Sequence, residues 1–230
     1  MARAWHLERR PDDMPVMDDF ALKDITLRDT GDGEIRVVNR WLSVDPYMRG
    51  RMNDVKSYVP PFQLGEPMQG GAIGEVVESK AEGFAVGDLV QHMSGWRDEA
   101  VVKASDAQKL PPLDVDPQAF LGQLGMPGIT GFFGLTEVAR AKAGDTVFVS
   151  AAAGAVGSTV VQVAKARGMT VIGSAGGKDK CDWVRSIGAD KVIDYKAQKS
   201  MPKALMEAAP NGIDVYFDNV GGDHLDAALA

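Results

Sequence analysis

Two glycines and two lysines are the residues of this chain whose types and spacing point most directly to chemistry. Ala152, Gly154 and Gly157 form A-x-G-x-x-G, a variant of the G-x-G-x-x-G turn with alanine in the first place. Gly154 lets the backbone come close to a pyrophosphate, and Gly157 lets a following helix pack tightly on the strand before it. The unpaired N–H groups at that helix start, with its dipole, attract phosphate. About 20 residues on, where an acid usually holds the ribose 2′-OH of NAD, the chain reads Gly173-Ser174-Ala175-Gly176-Gly177-Lys178-Asp179-Lys180. The strand tip carries no acid but a hydroxyl, open backbone and two cations. That set suits a 2′-phosphate and argues for NADP(H). The bland alternative is two solvated lysines at a helix start.

The elements that must position these residues are legible around them. Thr146–Ser150 is a short apolar β-rich run, Ser158–Arg167 reads as a helix stopped by Gly168, and Thr170–Gly173 reads as a second strand. Strand, glycine turn, helix, strand is the context a dinucleotide-binding βαβ unit requires. Further on, Lys180–Ile187 reads as a helix closed by Gly188, Lys191–Tyr195 as a strand, Met201–Ala209 as a helix, Asp214–Asn219 as a strand, and His224–Ala230 as the start of a helix. These are fewer strands than the roughly six of a complete fold of this type, so the expectation is that the chain stops within the pattern.

Residues 1 to about 120 read as β-rich, with strands near 34–43, 70–78, 84–90 and 100–103 separated by turn residues, as in a compact barrel. Pro111-Pro112 to Asp116-Pro117 punctuates its end. A short helix from Pro117, a loop at Gly125–Gly131 and a helix from Phe132 to Ala141 lead to the nucleotide strand.

Composition narrows the function classes. The chain has 230 residues, 25 Lys and Arg against 32 Asp and Glu, and a formal charge of −7. That balance, with no basic run, argues against nucleic-acid binding. The start carries charges and no apolar signal segment, and no apolar run reaches the ~18 residues of a membrane span, so a cytoplasmic protein is expected. One cysteine, Cys181, excludes a disulfide framework within the chain. Cys181, His6, His92 and His224 cannot supply a Cys₂His zinc site, so no metal is expected and the histidines read as ordinary core or surface residues.

Several separated motifs carry a resemblance. Leu42-Ser-Val-Asp-Pro-Tyr-Met-Arg-Gly-Arg-Met52, Gly83–Asp88, Leu124-Gly-Met-Pro-Gly-Ile-Thr130, Ala151–Gly157, Ile193–Lys196 and Asp218-Asn-Val-Gly-Gly222 resemble the medium-chain dehydrogenase/reductase superfamily. The likeness is greatest to its zinc-free branch of NADP-dependent alkenal and prostaglandin (leukotriene B4 dehydrogenase-like) reductases. The resemblance implies an α/β protein with a GroES-like β-barrel domain over residues 1–123. It also implies a Rossmann doubly wound parallel sheet, incomplete here, over residues 124–230, with an active site in the cleft between the two. It implies that Gly154, Ala155, Val156 and Gly157 hold the pyrophosphate. Lys180, preferred over Lys178, and Tyr195 would contact the 2′-phosphate and ribose, Asn219 would touch the cofactor, and Met126 and Thr130 would lie beside the nicotinamide. Two departures stand out: Thr130-Gly131-Phe132 where the branch usually has Thr-Ala-Tyr, and Glu99 where a tyrosine is expected.

Without zinc, a ketone is hard to polarise for direct reduction. A conjugated C=C is easier, because hydride adds at the β-carbon and the charge moves to the carbonyl oxygen, which needs only hydrogen-bond donors. Tyr47, in a loop the family places near the nicotinamide, is the candidate donor. A phenol, with its ordinary pKa of about 10, is neutral near pH 7. A packing tyrosine is the plain alternative, and a cofactor ribose hydroxyl could relay the proton instead. Arg49 and Arg51 read as partners of local acids, and Trp41, Trp96 and Phe132 as core aromatics or lining of an apolar cleft. The expected activity is NADPH-dependent reduction of α,β-unsaturated ketones or aldehydes. The alternatives are a quinone reductase and a protein that binds NADPH without turnover. A homodimer is compatible with the fold.

Overall fold

The computed structural model describes residues 1–230, which divide into two compact units, Met1–Leu121 and Gly122–Ala230. In the first, β1 (Ala2–Leu7) and β2 (Phe20–Ile25) pair antiparallel. Strands β3 (Glu34–Leu42), β4 (Ala72–Ser79), β5 (Leu89–His92), β6 (Glu99–Lys103) and β7 (Gln108–Lys109) form a second antiparallel sheet in the order β6-β3-β4-β5-β7. Isolated bridges Ala4–Arg97 and His6–Pro67 tie β1 to the segments that flank the second sheet. A first apolar cluster (Ile35, Val37, Val76, Val90, Val102) sits on β3 to β6. A second (Leu7, Met48, Met52, Phe62, Met68) packs under the five-residue helix α1 (Tyr47–Arg51).

Two sequence expectations change here. The Asp45–Met52 segment, read as a loop, contains α1. Arg49 and Arg51 bind carbonyl and amide oxygens rather than acids: Arg49 reaches the carbonyl of Asp13 at 2.7 Å and Asn53 Oδ1, and Arg51 reaches the carbonyl of Pro60 and Gln69 Oε1 while lying over the Phe62 ring. Glu99 is committed within the sheet, accepting from Arg36 at 2.6 Å across β3 and β6. Trp96 packs with the Met48–Phe62 cluster, so it is a core aromatic.

The second unit opens with α2 (Met126–Phe133), continued by one π turn over Gly134–Val138. The sequence had suggested a loop here. Gly125 is extended at the helix N-cap and Pro127 falls in the first turn, where its missing N–H and fixed φ are harmless. A Cβ at Gly128 would run into the carbonyl of Gln123, so glycine allows the helix to start against the turn before it. Then follow β8 (Thr146–Val149), α3 (Ala155–Ala166), β9 (Thr170–Ala175), α4 (Lys178–Ser186), β10 (Lys191–Asp194), α5 (Met201–Ala208), β11 (Val215–Phe217) and α6 (Gly222–Leu229).

The four strands are parallel in the order β10-β9-β8-β11. Strand β8 is apolar and buried from Val147 to Val149 because both its faces are covered there. Val147 and Val149 join Val160, Val161, Val171 and Val184 on the α3 and α4 side, and Phe148 joins Ile172, Leu205 and Ala227 on the α5 and α6 side. Burying Phe148 fully contributes about 1.5–3 kcal/mol by itself. The order runs outward from β8 in both directions, so a crevice opens at the carboxyl ends of β8 and β11, the topological switch point where such sheets bind ligands. No helix in either unit is long and apolar enough to cross a membrane.

Candidate nucleotide site

The site is built where β8 ends. Ala151 takes a left-handed φ of 44°, turning the chain, and Ala152 N–H donates to the carbonyl of Ser174, tying the turn to β9 at 2.9 Å. Gly154 is the extended N-cap of α3 and no side chain caps that end, so the first N–H groups of the helix, at Ala155, Val156 and Gly157, have no capping partner. A Cβ on Gly157 would meet the carbonyl of Ala151 and come within 2.9 Å of Ala152 Cα; one on Gly154 would stand 3.1 Å from the Ala151 carbonyl oxygen. The cradle is therefore shaped by the missing side chains, and its uncapped donors suit a pyrophosphate.

A cavity of about 300 Å³ opens beside the turn and is walled by Gly154, Gly176, Lys180, Tyr195, Val220 and His224, among others. The structure separates the two lysines. Lys178 is paired with Asp182 one helical turn on, whereas Lys180 makes no ion pair and lines the cavity. Tyr195 follows β10 directly, and its ring lies over Gly176: a Cβ there would stand 2.7 Å from the tyrosine hydroxyl. Asp194 fixes the same turn by accepting from Gly177 N–H at 2.9 Å. A free cation, a phenol and open glycine backbone beside helix N–H groups fit a dinucleotide with a 2′-phosphate, and no carboxylate takes the place of that phosphate.

Asn219 ties the tip of β11 to β8, donating through Nδ2 to the Ser150 carbonyl at 2.9 Å and through its own N–H to Ser150 Oγ at 2.8 Å. Asp218 organises this loop. Its Oδ1 accepts from Val220 N–H, Gly221 N–H and Tyr216 Oη at 2.7 to 2.9 Å. Burial alone would raise the Asp218 carboxyl, but these donors hold it below the ordinary range. Burial, reinforced by that carboxylate, pushes the Tyr216 phenol up to about 12. Ser150, Tyr216 and Asp218 were not predicted as site residues. Only Asp218 stood in a motif, and the contacts of Ser150 cross 67 to 69 positions of sequence.

Thr130 donates to the Met126 carbonyl inside α2, and the Met126 side chain is exposed. Neither lines the cavity. Tyr47 belongs to the first unit. Its hydroxyl is buried without any hydrogen-bond partner, and burial raises its pKa. Cys181 is buried with its thiol toward the Ala175 carbonyl, and no group of three or more His, Cys, Asp or Glu side chains comes together anywhere in the chain.

Comparison with known proteins fits this geometry. Residues 3–110 match the N-terminal domain of oxidoreductase and residues 155–230 match the zinc-binding dehydrogenase description. Prostaglandin reductase 1 of Bos taurus is 40% identical over 231 residues, 99% of this chain and 68% of its own length. The chain belongs to the medium-chain dehydrogenases/reductases, in the zinc-free NADP-dependent alkenal/prostaglandin reductase family. Another member of that reductase family, NADPH-dependent curcumin reductase of Escherichia coli K12, is 41% identical over 228 residues; this chain spans 66% of its length. The crystal structure of CurA from Vibrio vulnificus in complex with NADPH superposes with a TM-score of 0.93 at 41% identity, covering 99% of this chain and 67% of that one.

Proposed function

We propose that the protein is an NADPH-dependent oxidoreductase that reduces the C=C bond of α,β-unsaturated ketones and aldehydes without zinc. The observation that carries this reading is Lys180. It is free of any ion pair, on the wall of a cavity that begins at an uncapped glycine turn and that Tyr195 shares. Lys180 and Tyr195 would hold the adenosine 2′-phosphate and ribose, the start of α3 from Gly154 to Gly157 the pyrophosphate, and Asn219 the cofactor beyond it. Met126 and Thr130 would flank the nicotinamide. When bound, NADPH supplies a hydride of the kind a conjugated β-carbon accepts. Relatives of matching chemistry support the choice of substrate, among them 2-alkenal reductase (NADP(+)-dependent) of Nicotiana tabacum, 42% identical over 221 residues.

Tyr47 supplies the remaining chemistry in this proposal. An enolate oxygen needs a neutral donor in a water-poor site, and the Tyr47 hydroxyl is buried with no partner of its own. Its raised pKa keeps it protonated through the physiological range. A residue domain of 1–123 would carry Tyr47 and one of 124–230 the nucleotide. A cytoplasmic setting belongs to the same proposal, with the single, unpaired cysteine in its favour. The test follows NADPH oxidation against a panel of enones, enals and quinones, with the product identified. Saturated ketone or aldehyde formed with NADPH supports the reading; reduction of quinones alone, or of nothing in the panel, overturns it.

A further inference from the structure

His224 is the one histidine placed at the nucleotide cavity, and nothing above gives it a task. Gly221 and Gly222 take φ of 73° and 53°, left-handed conformations open to glycine at little cost. They turn the chain from β11 into α6 so that its third residue points back at the sheet. There the imidazole is only 7% exposed. It lies parallel to Phe148 at 6.3 Å and meets Tyr195 edge-on at 5.4 Å and 77°. Its Nε2 is hydrogen-bonded to Ser174 Oγ at 2.8 Å, and Ser174, near the tip of β9, is fully buried. Tyr195, Val220 and His224 are common to the cavity at the glycine turn and to a neighbouring one of about 600 Å³. The ring is thus fixed on three sides, by a hydrogen bond and two aromatic neighbours, while Nδ1 makes no hydrogen bond.

A largely buried imidazole held at Nε2 by Ser174, on the wall of the cavity and with its other nitrogen unbonded, is set to read a ligand through that nitrogen. We propose that His224 is a binding residue for the adenosine half of the nucleotide, with Ser174 its positioning residue. A serine hydroxyl donates or accepts, so the Ser174 bond is compatible with either ring tautomer. Nδ1 can therefore present a lone pair to an amine of the base or an N–H to a ribose or phosphate oxygen. This inference rests on the NADP(H) reading of the site but concerns a residue outside it.

The test uses binding rather than turnover. Calorimetric titration of the 230-residue chain with 2′,5′-ADP, which carries the adenosine with its 2′- and 5′-phosphates and lacks the nicotinamide half, is repeated for His224→Phe, Ser174→Ala and Lys180→Ala, with a melting curve for each. His224→Phe keeps an aromatic ring against Phe148 and Tyr195 and removes both nitrogens. It is expected to weaken 2′,5′-ADP about tenfold, the scale of one lost hydrogen bond, and Ser174→Ala to weaken it less, in the same direction. Equal losses for NADH and NADPH in His224→Phe would assign the contact to base or ribose; a larger loss for NADPH would assign it to the phosphate. Unchanged affinity in His224→Phe, with binding lost in Lys180→Ala, overturns the role of His224 and leaves the NADP(H) reading standing. A wild-type chain that ignores 2′,5′-ADP overturns both. If His224→Phe does not fold, Ser174→Ala decides: wild-type affinity in that variant overturns the proposal.

Discussion

Gly173 makes room for Ala152. A Cβ built on Gly173 would stand 3.0 Å from the Ala152 side chain and 2.8 Å from Val184 Cγ1, with Ala152 and Val184 both completely buried. Alanine takes the first place of the glycine fingerprint because the neighbouring strand gives up a side chain opposite it. Gly173→Ala should therefore overpack the sheet and destabilise the second unit by about 1–3 kcal/mol. Adding Ala152→Gly should return only part of that loss, since the Val184 clash remains and a new glycine costs about 0.5–1 kcal/mol. Urea unfolding of the two single variants and the double variant measures the coupling. Strictly additive effects would show that the two positions do not share the space.

The two lysines after β9 should behave differently. Lys180→Ala removes an unpaired cation from the cavity wall and is expected to weaken NADPH by about 1–3 kcal/mol while leaving NADH nearly unchanged. Lys178 is held by Asp182, which Arg185 also contacts at 2.8 Å. Its replacement by alanine should change neither affinity beyond a few tenths of a kcal/mol, the usual scale of an exposed helical pair. Fluorescence titration with both nucleotides decides the matter; equal losses for NADPH and NADH in Lys180→Ala would refute a 2′-phosphate contact.

What could be read from the sequence was what is local. The run Thr146–Thr170 carries strand, turn and helix signals within 25 residues, and each appears in place as β8, the Ala151–Gly154 turn and α3. The preference for Lys180 over Lys178 came from a resemblance; the structure adds that Lys178 is paired with Asp182 and Lys180 is not. Gly125–Gly131 read as a loop because Met-Pro-Gly carries breaker residues, although a proline in the first turn of a helix breaks nothing, and α2 starts at Met126. Strands β1 and β2 were missed because Arg3, Lys23 and Asp24 dilute short segments whose pairing lies 13 to 23 positions apart. The Ser174–His224 bond spans 50 positions and has no signature in either segment.

Removing the hydroxyl of Tyr47 should leave the fold intact and harm the reaction. The group is buried and unpaired, so Tyr47→Phe loses no hydrogen bond of the folded chain, and stability should hold within about 0.5 kcal/mol or rise slightly. If the phenol is the donor to the developing enolate, the rate of enone reduction should fall about 10- to 100-fold with nucleotide affinity unchanged. Steady-state kinetics beside a binding titration and a melting curve make the separation. A variant as fast as the parent would assign Tyr47 to packing alone.

His92 should make the first unit sensitive to mild acid. It lies at the end of β5, almost fully buried, and its Nδ1 accepts from Ser94 N–H at 3.1 Å, which places the proton of the neutral ring on Nε2. Burial, aided by the nearby Arg97 cation, lowers its pKa to about 4. In the unfolded chain the same ring takes up a proton near the ordinary value of about 6.5. Between these values the unfolded state binds more protons, so stability is full above about pH 6.5 and is lost as pH falls toward 4. The loss should reach about 2–4 kcal/mol, given the size of the shift. His92→Asn keeps an acceptor for Ser94 and does not titrate. Unfolding measured at neutral pH and near pH 4.5 should therefore show a shallower pH dependence in the variant. An identical slope in both proteins would place the acid sensitivity elsewhere, on carboxylates such as Glu34, which the hydrogen-bonded Arg28 holds at about 2.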